Sequence, residues 1–394
     1  MRSPQMFRKV RWISLGILVF TVVIILTVHK YDFWRIDINK VYFTQERAFA
    51  NVKVWNDINE PDGDVEKERI VIGMVSCDKA NTTTTSNLGV VLIKSILISA
   101  NLHKVSVVAF HIFLESMGRQ LYFKSKLEEY AYLKGNVEVE LHFHSVRDAI
   151  PEMYHNVMVF TKGWRCSFVR LFMASNLPNE DAIIYFDTDN IVTGNIRNIW
   201  NLISDMNERQ LIGVAPASEP WDKNFDHIFK FHFADIPHVP PKGLNSGVLV
   251  MNLTKMRNYG WRKKMFEIYD NYSKSVDLHA DQRILNIHLH FERDLLKQIP
   301  CNYNYEHIHC DSEQICIHAE GHQNGVEILH GAGGQYVSKD SSLFEVFRAY
   351  RDFNLSFQEV REKLMMPLRR HFENQGKNSR CYGSLNRLLF KNVF

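Results

Sequence analysis

The stretch IIYFDTDNIV, residues 183–192, places two aspartates one residue apart directly after an apolar run. The run has the length and composition of a buried strand. If strand geometry continues through it, Thr188 points away and the carboxylates of Asp187 and Asp189 lie on one side. Two carboxylates on one side repel each other unless a cation lies between them, and a hard divalent ion with oxygen ligands meets that need. The alternative interpretation is a solvated turn, because Asp and Asn favour turns.

The segments before this stretch alternate between strand-like and helix-like patterns. Apolar or alternating runs that indicate strands cover 69–77, 105–115, 137–145 and 181–187. Helical spacing of apolar residues covers 88–100, 121–134 and 166–177. This alternation predicts an α/β fold with a parallel sheet that is covered on both faces. In such sheets ligands bind at the carboxyl ends of strands, which is where the two aspartates lie.

The N-terminal part of the sequence predicts a membrane anchor. Residues 12–28 contain no charged residue and reach the short end of what spans a bilayer. Cationic residues are concentrated before this run, whereas the residues after it are mixed in charge. We therefore expect a cytoplasmic tail (1–11), a transmembrane signal anchor (12–28), a stem (29–66) and a lumenal domain (67–394). A cleaved signal peptide is the alternative, and the lack of a small-residue cleavage site disfavours it.

Other features fit a protein of the secretory pathway. The chain has six cysteines, and its net charge of +3 gives no reason to expect a nucleic-acid partner. Three cysteines and three histidines crowd into CNYNYEHIHCDSEQICIH (301–318), which we interpret as a disulfide-stapled loop, since zinc-knuckle spacing is missing. The sequence leaves the pairing of the cysteines open.

Four Asn-x-Ser/Thr sequons are candidate glycosylation sites: Asn81, Asn252, Asn271 and Asn354.

A series of motifs carries a resemblance to a known family. In chain order they are YFDTDNIVTGNIRNIWNLI, GVAPASEP, GLNSGVLVMNLTKMR, ADQRILNIHLH, IPCNYNYEHIHC and ILHGAGGQY. Together they resemble glycosyltransferase family 8, and most closely its glucoside xylosyltransferase subgroup, over about residues 69–353. The resemblance implies a GT-A fold, which is a Rossmann-like α/β domain that binds a UDP-sugar with Mn²⁺, here with a C-terminal extension.

The resemblance also implies roles for particular residues. Asp187, Asp189 and His330 are the expected metal ligands, and Asp281 and Gln282 are the expected catalytic residues. The expected contacts to the sugar nucleotide are Val75, Ser76, Cys77, Arg170, Asn245, Gly331, Gly333 and Gly334. The residues themselves add one constraint: Arg170 lies in an apolar stretch, so it needs a phosphate or a carboxylate such as Asp187 as its partner.

The implied activity is transfer of xylose from UDP-xylose, in α linkage, to an O-linked glucose on a folded extracellular-type protein repeat. The implied location is the lumen of the Golgi or endoplasmic reticulum. Alternatives are a family 8 transferase that uses another UDP-hexose, a non-catalytic sugar-binding relative and a sugar-nucleotide hydrolase. The resemblance implies retention of the anomeric configuration. We expect front-face substitution rather than double displacement, because Asp187 and Asp189 would be occupied by the metal and Gln282 is a poor nucleophile. Arg283 replaces the usual aspartate of the family, and we expect sugar choice to depend on it and on the loop after His330.

Overall fold

The computed structural model of the protein describes residues 52–54, 67–78, 84–131, 137–152, 165–218, 236–273, 281–311, 316–321, 325–339, 341–355, 359–375 and 380–389. The predicted cytoplasmic tail, the predicted membrane anchor and all of the predicted stem except 52–54 lie outside these residues.

Strands and helices alternate over the first half of the described chain. The strands are β1 (Val52–Val54), β2 (Arg69–Ser76), β3 (Val107–Leu114), β4 (Glu138–Ser145), β5 (Ala182–Phe186), β6 (Asn190–Val192), β7 (Ile212–Pro216), β8 (Leu244–Asn252), β9 (Leu296–Gln298), β10 (Tyr305–Glu306) and β11 (Ile328–His330). The helices are α1 (Thr84–Leu102), α2 (Gln120–Ala131), α3 (Val146–Ala149), α4 (Arg165–Phe168), α5 (Met173–Asn176), α6 (Ile196–Asn201), α7 (Leu253–Tyr259), α8 (Trp261–Tyr272), α9 (Asp281–Phe291), α10 (Ile308–Asp311), α11 (Ile317–Gly321), α12 (Ser342–Asp352), α13 (Met366–Gln375) and α14 (Arg380–Leu389). Shorter 3₁₀ or π segments are Met117–Arg119, Val169–Phe172, Arg293–Leu295, Cys301–Tyr303, Ala332–Gly334 and Val360–Met365.

The main sheet has the strand order β1-β4-β3-β2-β5-β8-β7-β9. Strands β4, β3, β2 and β5 are parallel, whereas β8 is antiparallel to β5. The chain moves outward from β2 through β3 to β4 and then returns to the other side of β2 as β5. The carboxyl ends of β2 and β5 therefore flank the switch in strand order, where α/β sheets bind ligands. The amino end of β8 lies at the same edge, because Phe186 pairs with Val248.

Both faces of the central strands are buried. Alternate residues of β2 point to opposite sides, with Ile72 and Met74 in one core cluster and Val71 and Val75 in another. This is why β2 is apolar throughout instead of alternating with polar residues. Helix α1 packs in the first cluster. By length and composition α1 would also suit a membrane span, but 72% of its apolar window is buried inside the protein. It is therefore a core helix.

A small second sheet, in the order β10-β11-β6, joins the carboxyl edge of the main sheet to the C-terminal part of the domain. In its register His330 pairs with Asn190 on one side and with Glu306 on the other. Three residues that are far apart in the sequence therefore lie in one row across neighbouring strands. A third core cluster packs beneath this sheet and extends to the C-terminal helices.

Strands β2 to β5 lie where the sequence predicts them, but two local expectations are wrong. The helix expected over 166–177 is broken into α4, the 3₁₀ turn Val169–Phe172 and α5. Strand geometry does not continue through the Asp-Thr-Asp segment: β5 ends at Phe186, and a turn follows. The turn forms because Asn190 donates to the carbonyl of Asp187 from both its backbone nitrogen, at 3.2 Å, and its side-chain Nδ2, at 3.0 Å.

All six cysteines form disulfides, in the pairs Cys77–Cys166, Cys301–Cys316 and Cys310–Cys381. The cysteine-rich segment is therefore stapled by disulfides, as predicted, and its thiolates do not form a zinc site. The Cys77–Cys166 bond ties the end of β2 to α4, which immediately precedes Arg170.

Candidate active site

Asp187, Asp189 and His330 converge at the carboxyl edge of the main sheet. One potential ligand atom from each lies within 4.8 Å of the other two. Asp187 and Asp189 lie in the turn between β5 and β6, and His330 ends β11. The turn, rather than a continued strand, brings both carboxylates to the same place. Two carboxylates and an imidazole form a ligand set that suits a divalent metal such as Mn²⁺.

The imidazole of His330 is buried and lies next to negative charge. Its Nε2 is 3.5 Å from Oδ1 of Asp189, and only 5% of its side chain is exposed. Burial alone would lower the pKa of His330, but the carboxylates of Asp189, Glu306 and Asp187 raise it to about 9. A proton on the ring therefore balances the acidic cluster, and a bound cation would take over that role while the proton leaves.

Gly247 allows His330 to approach β8. A Cβ atom at Gly247 would lie 2.3 Å from Cε1 and 2.8 Å from each nitrogen of the ring. Such distances are far below van der Waals contact, so any side chain at 247 would displace the imidazole. The backbone carbonyl of Gly247 also accepts a hydrogen bond from the backbone nitrogen of Asp187, at 2.8 Å. Gly247 therefore positions two residues, Asp187 and His330, of the cluster formed by Asp187, Asp189 and His330, which we call the ligand cluster.

Arg170 is the buried cation of the site, and it has the carboxylate partner that the sequence predicted. It lies in the 3₁₀ turn 169–172, with its Nη2 2.7 Å from Oδ1 of Asp187 and its Nε 3.2 Å from Oδ2 of Asp281. Its Nη1 also donates to the carbonyl of Ser246 at 2.8 Å. Burial acts to lower the pKa of Arg170, but the two carboxylates raise it above its ordinary value. The guanidinium thus neutralises two acidic residues on different elements.

Tyr185 completes the surroundings of Asp187, and the sequence analysis missed it. Its hydroxyl donates to Oδ1 of Asp187 at 2.7 Å, and its ring lies beneath the guanidinium of Arg170, 4.6 Å from Cζ to the ring centroid. The available signal was the spacing, since Tyr185 precedes Asp187 by two positions and alternate residues of a strand point to the same side.

The two predicted catalytic residues begin helix α9 and face β8. Asp281 is buried, which raises its pKa despite the nearby charge of Arg170. The side-chain carbonyl of Gln282 accepts hydrogen bonds from the backbone nitrogen of Ser246 at 3.1 Å and from its hydroxyl at 3.3 Å. Arg283, the departure from the family pattern, is buried in the same helix. The start of α9 is therefore docked onto the strand that carries Asn245.

Asn245 is held at both ends of its amide. Its Oδ1 accepts from the backbone nitrogen of Gly247 at 2.8 Å, and its Nδ2 donates to Oε1 of Glu306 at 2.5 Å. The second oxygen of Glu306 accepts from the hydroxyl of Ser218 at 2.5 Å. Glu306 and Ser218 lie in two of the motifs that carry the resemblance, IPCNYNYEHIHC and GVAPASEP, but no role was predicted for either from the sequence.

The glycine loop after His330 is a compact turn. Gly333 and Gly334, three and four residues after His330, have positive φ angles of 71° and 79° and are exposed. The amide of Gly331 donates to the carbonyl of Asp189 at 2.8 Å, so it is already occupied within the protein. A Cβ atom at Gly331 would lie 2.5 Å from the ring of Tyr336, which packs beneath the loop.

The remaining predicted nucleotide contacts lie at the end of β2. Val75 and Ser76 are buried at the same sheet edge as the aspartates, because Met74 pairs with Phe186. Cys77 is in a disulfide and offers no free thiol. Asp78, which the sequence analysis missed, orders this loop by accepting from the backbone nitrogen and the hydroxyl of Thr85, both at 2.8 Å, at the start of α1.

Comparisons with known proteins show which proteins this chain is similar to. The family described as glycosyl transferase family 8 matches residues 80–330. Glucoside xylosyltransferase 2 of Xenopus laevis is 27% identical over 337 residues, which cover 81% of this chain and 74% of the relative. Human glucoside xylosyltransferase 1 is 27% identical over 316 residues, which cover 76% and 66%, respectively. Mouse glucoside xylosyltransferase 2 is 32% identical over 200 residues, which cover 48% of this chain and 44% of the relative.

Two solved structures share the fold. Mouse xyloside xylosyltransferase 1, in its apo form, superposes with a TM-score of 0.50 and 21% identity over 68% of this chain and 98% of its own. The galactosyltransferase LgtC, in complex with donor and acceptor sugar analogues, superposes with a TM-score of 0.50 and 16% identity over 75% of this chain and 100% of its own. At these identities the likeness shows the fold alone, which is the predicted GT-A fold.

Proposed function

Because the chain belongs to glycosyl transferase family 8 and is a xylosyltransferase-like glycosyltransferase, we propose that it transfers xylose from UDP-xylose to an O-linked glucose. The acceptor is a folded extracellular-type protein repeat, and the anomeric configuration is retained. The observation that carries this proposal is the convergence of Asp187, Asp189 and His330 at the strand ends. The similar relatives are named glucoside xylosyltransferases, which favours UDP-xylose over a UDP-hexose as the donor.

We assign the metal to these three residues and expect Mn²⁺. Carboxylate oxygens suit this hard ion, and one imidazole is compatible with it. When bound, the ion supplies Lewis-acid stabilisation of the charge that develops on the departing diphosphate. Gly333 and Gly334 are exposed and follow His330 closely in the chain, and we propose that their amides donate to phosphate oxygens.

The protein residues prepare this site before substrate arrives. Arg170 and Tyr185 hold the carboxylate of Asp187 through contacts of 2.7 Å each, so little reorganisation is required on binding. Asn245 and Gln282 flank the amino end of β8, where we place the donor sugar. Asn245 keeps one amide hydrogen beyond the one that it donates to Glu306, and this hydrogen would contact a sugar hydroxyl.

The surroundings of Asp281 favour front-face substitution over a double displacement. A nucleophilic carboxylate would have to reach the anomeric carbon, but Asp281 is buried and lies 3.2 Å from Nε of Arg170. Gln282 is an amide and a poor nucleophile. We therefore propose that the acceptor hydroxyl attacks from the side of the leaving diphosphate. A phosphate oxygen accepts the hydroxyl proton, while Asp281 and Gln282 position the sugar-binding strand.

The proposal includes a type II membrane topology with the catalytic domain in the lumen of the Golgi or endoplasmic reticulum. The anchor would be residues 12–28, with a cytoplasmic tail (1–11) and a stem (29–66). Its support is the cationic residues before the apolar run. The three disulfides of the domain also fit an oxidising compartment.

The test is an assay of the purified full-length protein with Mn²⁺, a panel of UDP-sugars, and glucosides or glucosylated repeats as acceptors. We expect transfer from UDP-xylose only, with an α-linked product by NMR. Transfer from another UDP-sugar would show that UDP-xylose is not the donor. Release of UDP without a glycoside product would favour a sugar-nucleotide hydrolase. Donor binding without turnover would favour a non-catalytic sugar-binding protein.

A further inference from the structure

Glu306 is an acidic residue next to the ligand cluster that has no role in the chemistry described so far. In the small sheet it pairs with His330 in the parallel register of β10 and β11. Paired residues of neighbouring parallel strands project their side chains to the same face of the sheet. Only 14% of the Glu306 side chain is exposed. A carboxylate with so little access to water needs partners within the protein.

The hydrogen bonds of Glu306 fix its position. Oε1 accepts from Nδ2 of Asn245, and Oε2 accepts from the hydroxyl of Ser218, both at 2.5 Å. These bonds anchor one carboxylate to β8 and to Ser218, two residues after the end of β7. Asn245 in turn accepts from the backbone nitrogen of Gly247, the residue against which His330 packs. Glu306 is therefore connected to the surroundings of His330 through two elements.

The ring of His330 leaves one nitrogen for Glu306. Nε2 faces Asp189 at 3.5 Å, so this nitrogen points toward the ligand cluster. Nδ1 is buried and has no hydrogen-bond partner in the described part of the protein. Oε1 of Glu306 lies 3.9 Å from Nδ1. A movement of about 1 Å would convert this approach into an N–H···O hydrogen bond.

We propose that Glu306 is a positioning residue that holds Asn245 and accepts the Nδ1–H of His330 when Nε2 binds a divalent cation. The inference rests on the proposed function, since it takes His330 as a metal ligand. When a histidine binds a metal through one ring nitrogen, a carboxylate that accepts the N–H of the other nitrogen fixes the tautomer and the ring orientation. It also makes the histidine a stronger ligand. Because the same carboxylate binds Asn245, it couples the orientation of the metal ligand to that of the sugar-contact residue.

The test measures Mn²⁺ binding directly, by electron paramagnetic resonance titration of the purified full-length protein without donor. Glu306→Gln keeps the size of the side chain and an acceptor for Asn245 but removes the charge. We expect it to bind Mn²⁺ about tenfold or more weakly, the usual effect of losing such a partner. The KM for Mn²⁺ in transfer assays should rise by the same factor, whereas kcat at saturating Mn²⁺ should change much less. Glu306→Asp keeps the negative charge but places it farther from His330, because the side chain is one methylene shorter. We expect this variant to lose an intermediate amount of Mn²⁺ affinity.

Glu327→Gln is the matched control. Glu327 is also buried and precedes β11, but its oxygens accept from the backbone nitrogen of Asn195 and the side chain of Asn198, both at 2.9 Å. The Mn²⁺ affinity of the Glu327→Gln variant should equal that of the wild type. Wild-type affinity in Glu306→Gln would overturn the inference. If that variant does not fold, wild-type affinity in Glu306→Asp would do the same. Absence of Mn²⁺ binding by the wild type would instead overturn the proposed function.

Discussion

Nη2 of Arg170 lies 2.7 Å from Oδ1 of Asp187, so a buried cation already neutralises the first carboxylate of the Asp-Thr-Asp turn. The same guanidinium reaches Asp281 and stacks on the ring of Tyr185. The acidic residues at the carboxyl edge of the sheet are therefore held in place by the protein itself. A divalent cation would enter a site whose geometry is largely set.

This arrangement predicts a large stability cost for removing the guanidinium. Arg170→Met would leave Asp187 and Asp281 near each other without their cation, which we expect to lower the free energy of unfolding by about 3–5 kcal/mol. Urea unfolding in the presence of EDTA measures the effect without metal. The control is Arg209→Met, which breaks the exposed ion pair with Asp294 and should change stability by about 1 kcal/mol or less. Equal stability of both variants would contradict the structural role of Arg170.

Gly247→Ala should weaken metal binding without a comparable loss of fold. The new Cβ would lie within 2.8 Å of three atoms of the His330 ring, so the imidazole must move. We expect the affinity for Mn²⁺ to fall by about tenfold or more, as for other losses of ligand orientation. Gly118→Ala is the control, because the nearest atom to its Cβ would be 3.6 Å away. Unchanged Mn²⁺ binding by Gly247→Ala would show that His330 is not held as described.

The fold was more readily predicted from the sequence than the site was. Strands β2 to β5 follow from local apolar runs, and the resemblance named the residues of the metal cluster. Tyr185 was missed although it lies only two positions before Asp187, whereas Glu306 was missed because its role arises from pairing between distant segments. The pairing of Glu306 with His330, for example, requires the register of β10 and β11. The break in the helix around Arg170 was also missed, since apolar spacing alone does not distinguish a continuous α-helix from one interrupted by a 3₁₀ turn.

A polar cluster of Arg69 on β2, His111 on β3, His142 and His144 on β4, and Glu180 just before β5 predicts acid sensitivity. Burial acts to raise the pKa of Glu180, but hydrogen bonds from His111 and Arg69 lower it to about 2. Burial, together with the charges of His111 and His142, lowers the pKa of His144 to about 3. In the unfolded chain such groups have pKa values of about 4.3 and 6.5, so the unfolded state binds more protons in acid. Stability from these groups is complete above about pH 6.5 and is lost as the pH falls toward about 3 for His144 and about 2 for Glu180.

Thermal unfolding between pH 7.5 and pH 4 measures this loss. The melting temperature of the wild type should fall steadily as the pH is lowered. His144→Gln removes one titrating group, so its melting temperature should depend less on pH over the same range. An identical pH dependence of the two proteins would exclude the histidine as a source of the acid sensitivity.

The described sequons differ in their capacity to carry a glycan. Asn271 and Asn354 are exposed, whereas Asn252 is half-buried. Asn252 is also the N-cap of α7, and its side chain accepts from the backbone nitrogen of Lys255 at 2.9 Å. We therefore expect glycans at Asn271 and Asn354 but not at Asn252. Glycopeptide mass spectrometry of protein from a secretory expression host checks this, and an occupied Asn252 would contradict the assignment.

The measurement that tests the central claim most directly is xylose transfer by metal-stripped protein, with and without added Mn²⁺, for the wild type and Asp189→Asn. The variant keeps the size of the side chain but removes one carboxylate from the ligand cluster. We expect no transfer by the wild type in EDTA, recovery with Mn²⁺, and at least about a hundredfold lower activity for the variant at the Mn²⁺ concentration that saturates the wild type. Wild-type transfer in EDTA, or equal activity of the two proteins with Mn²⁺, would contradict the claim.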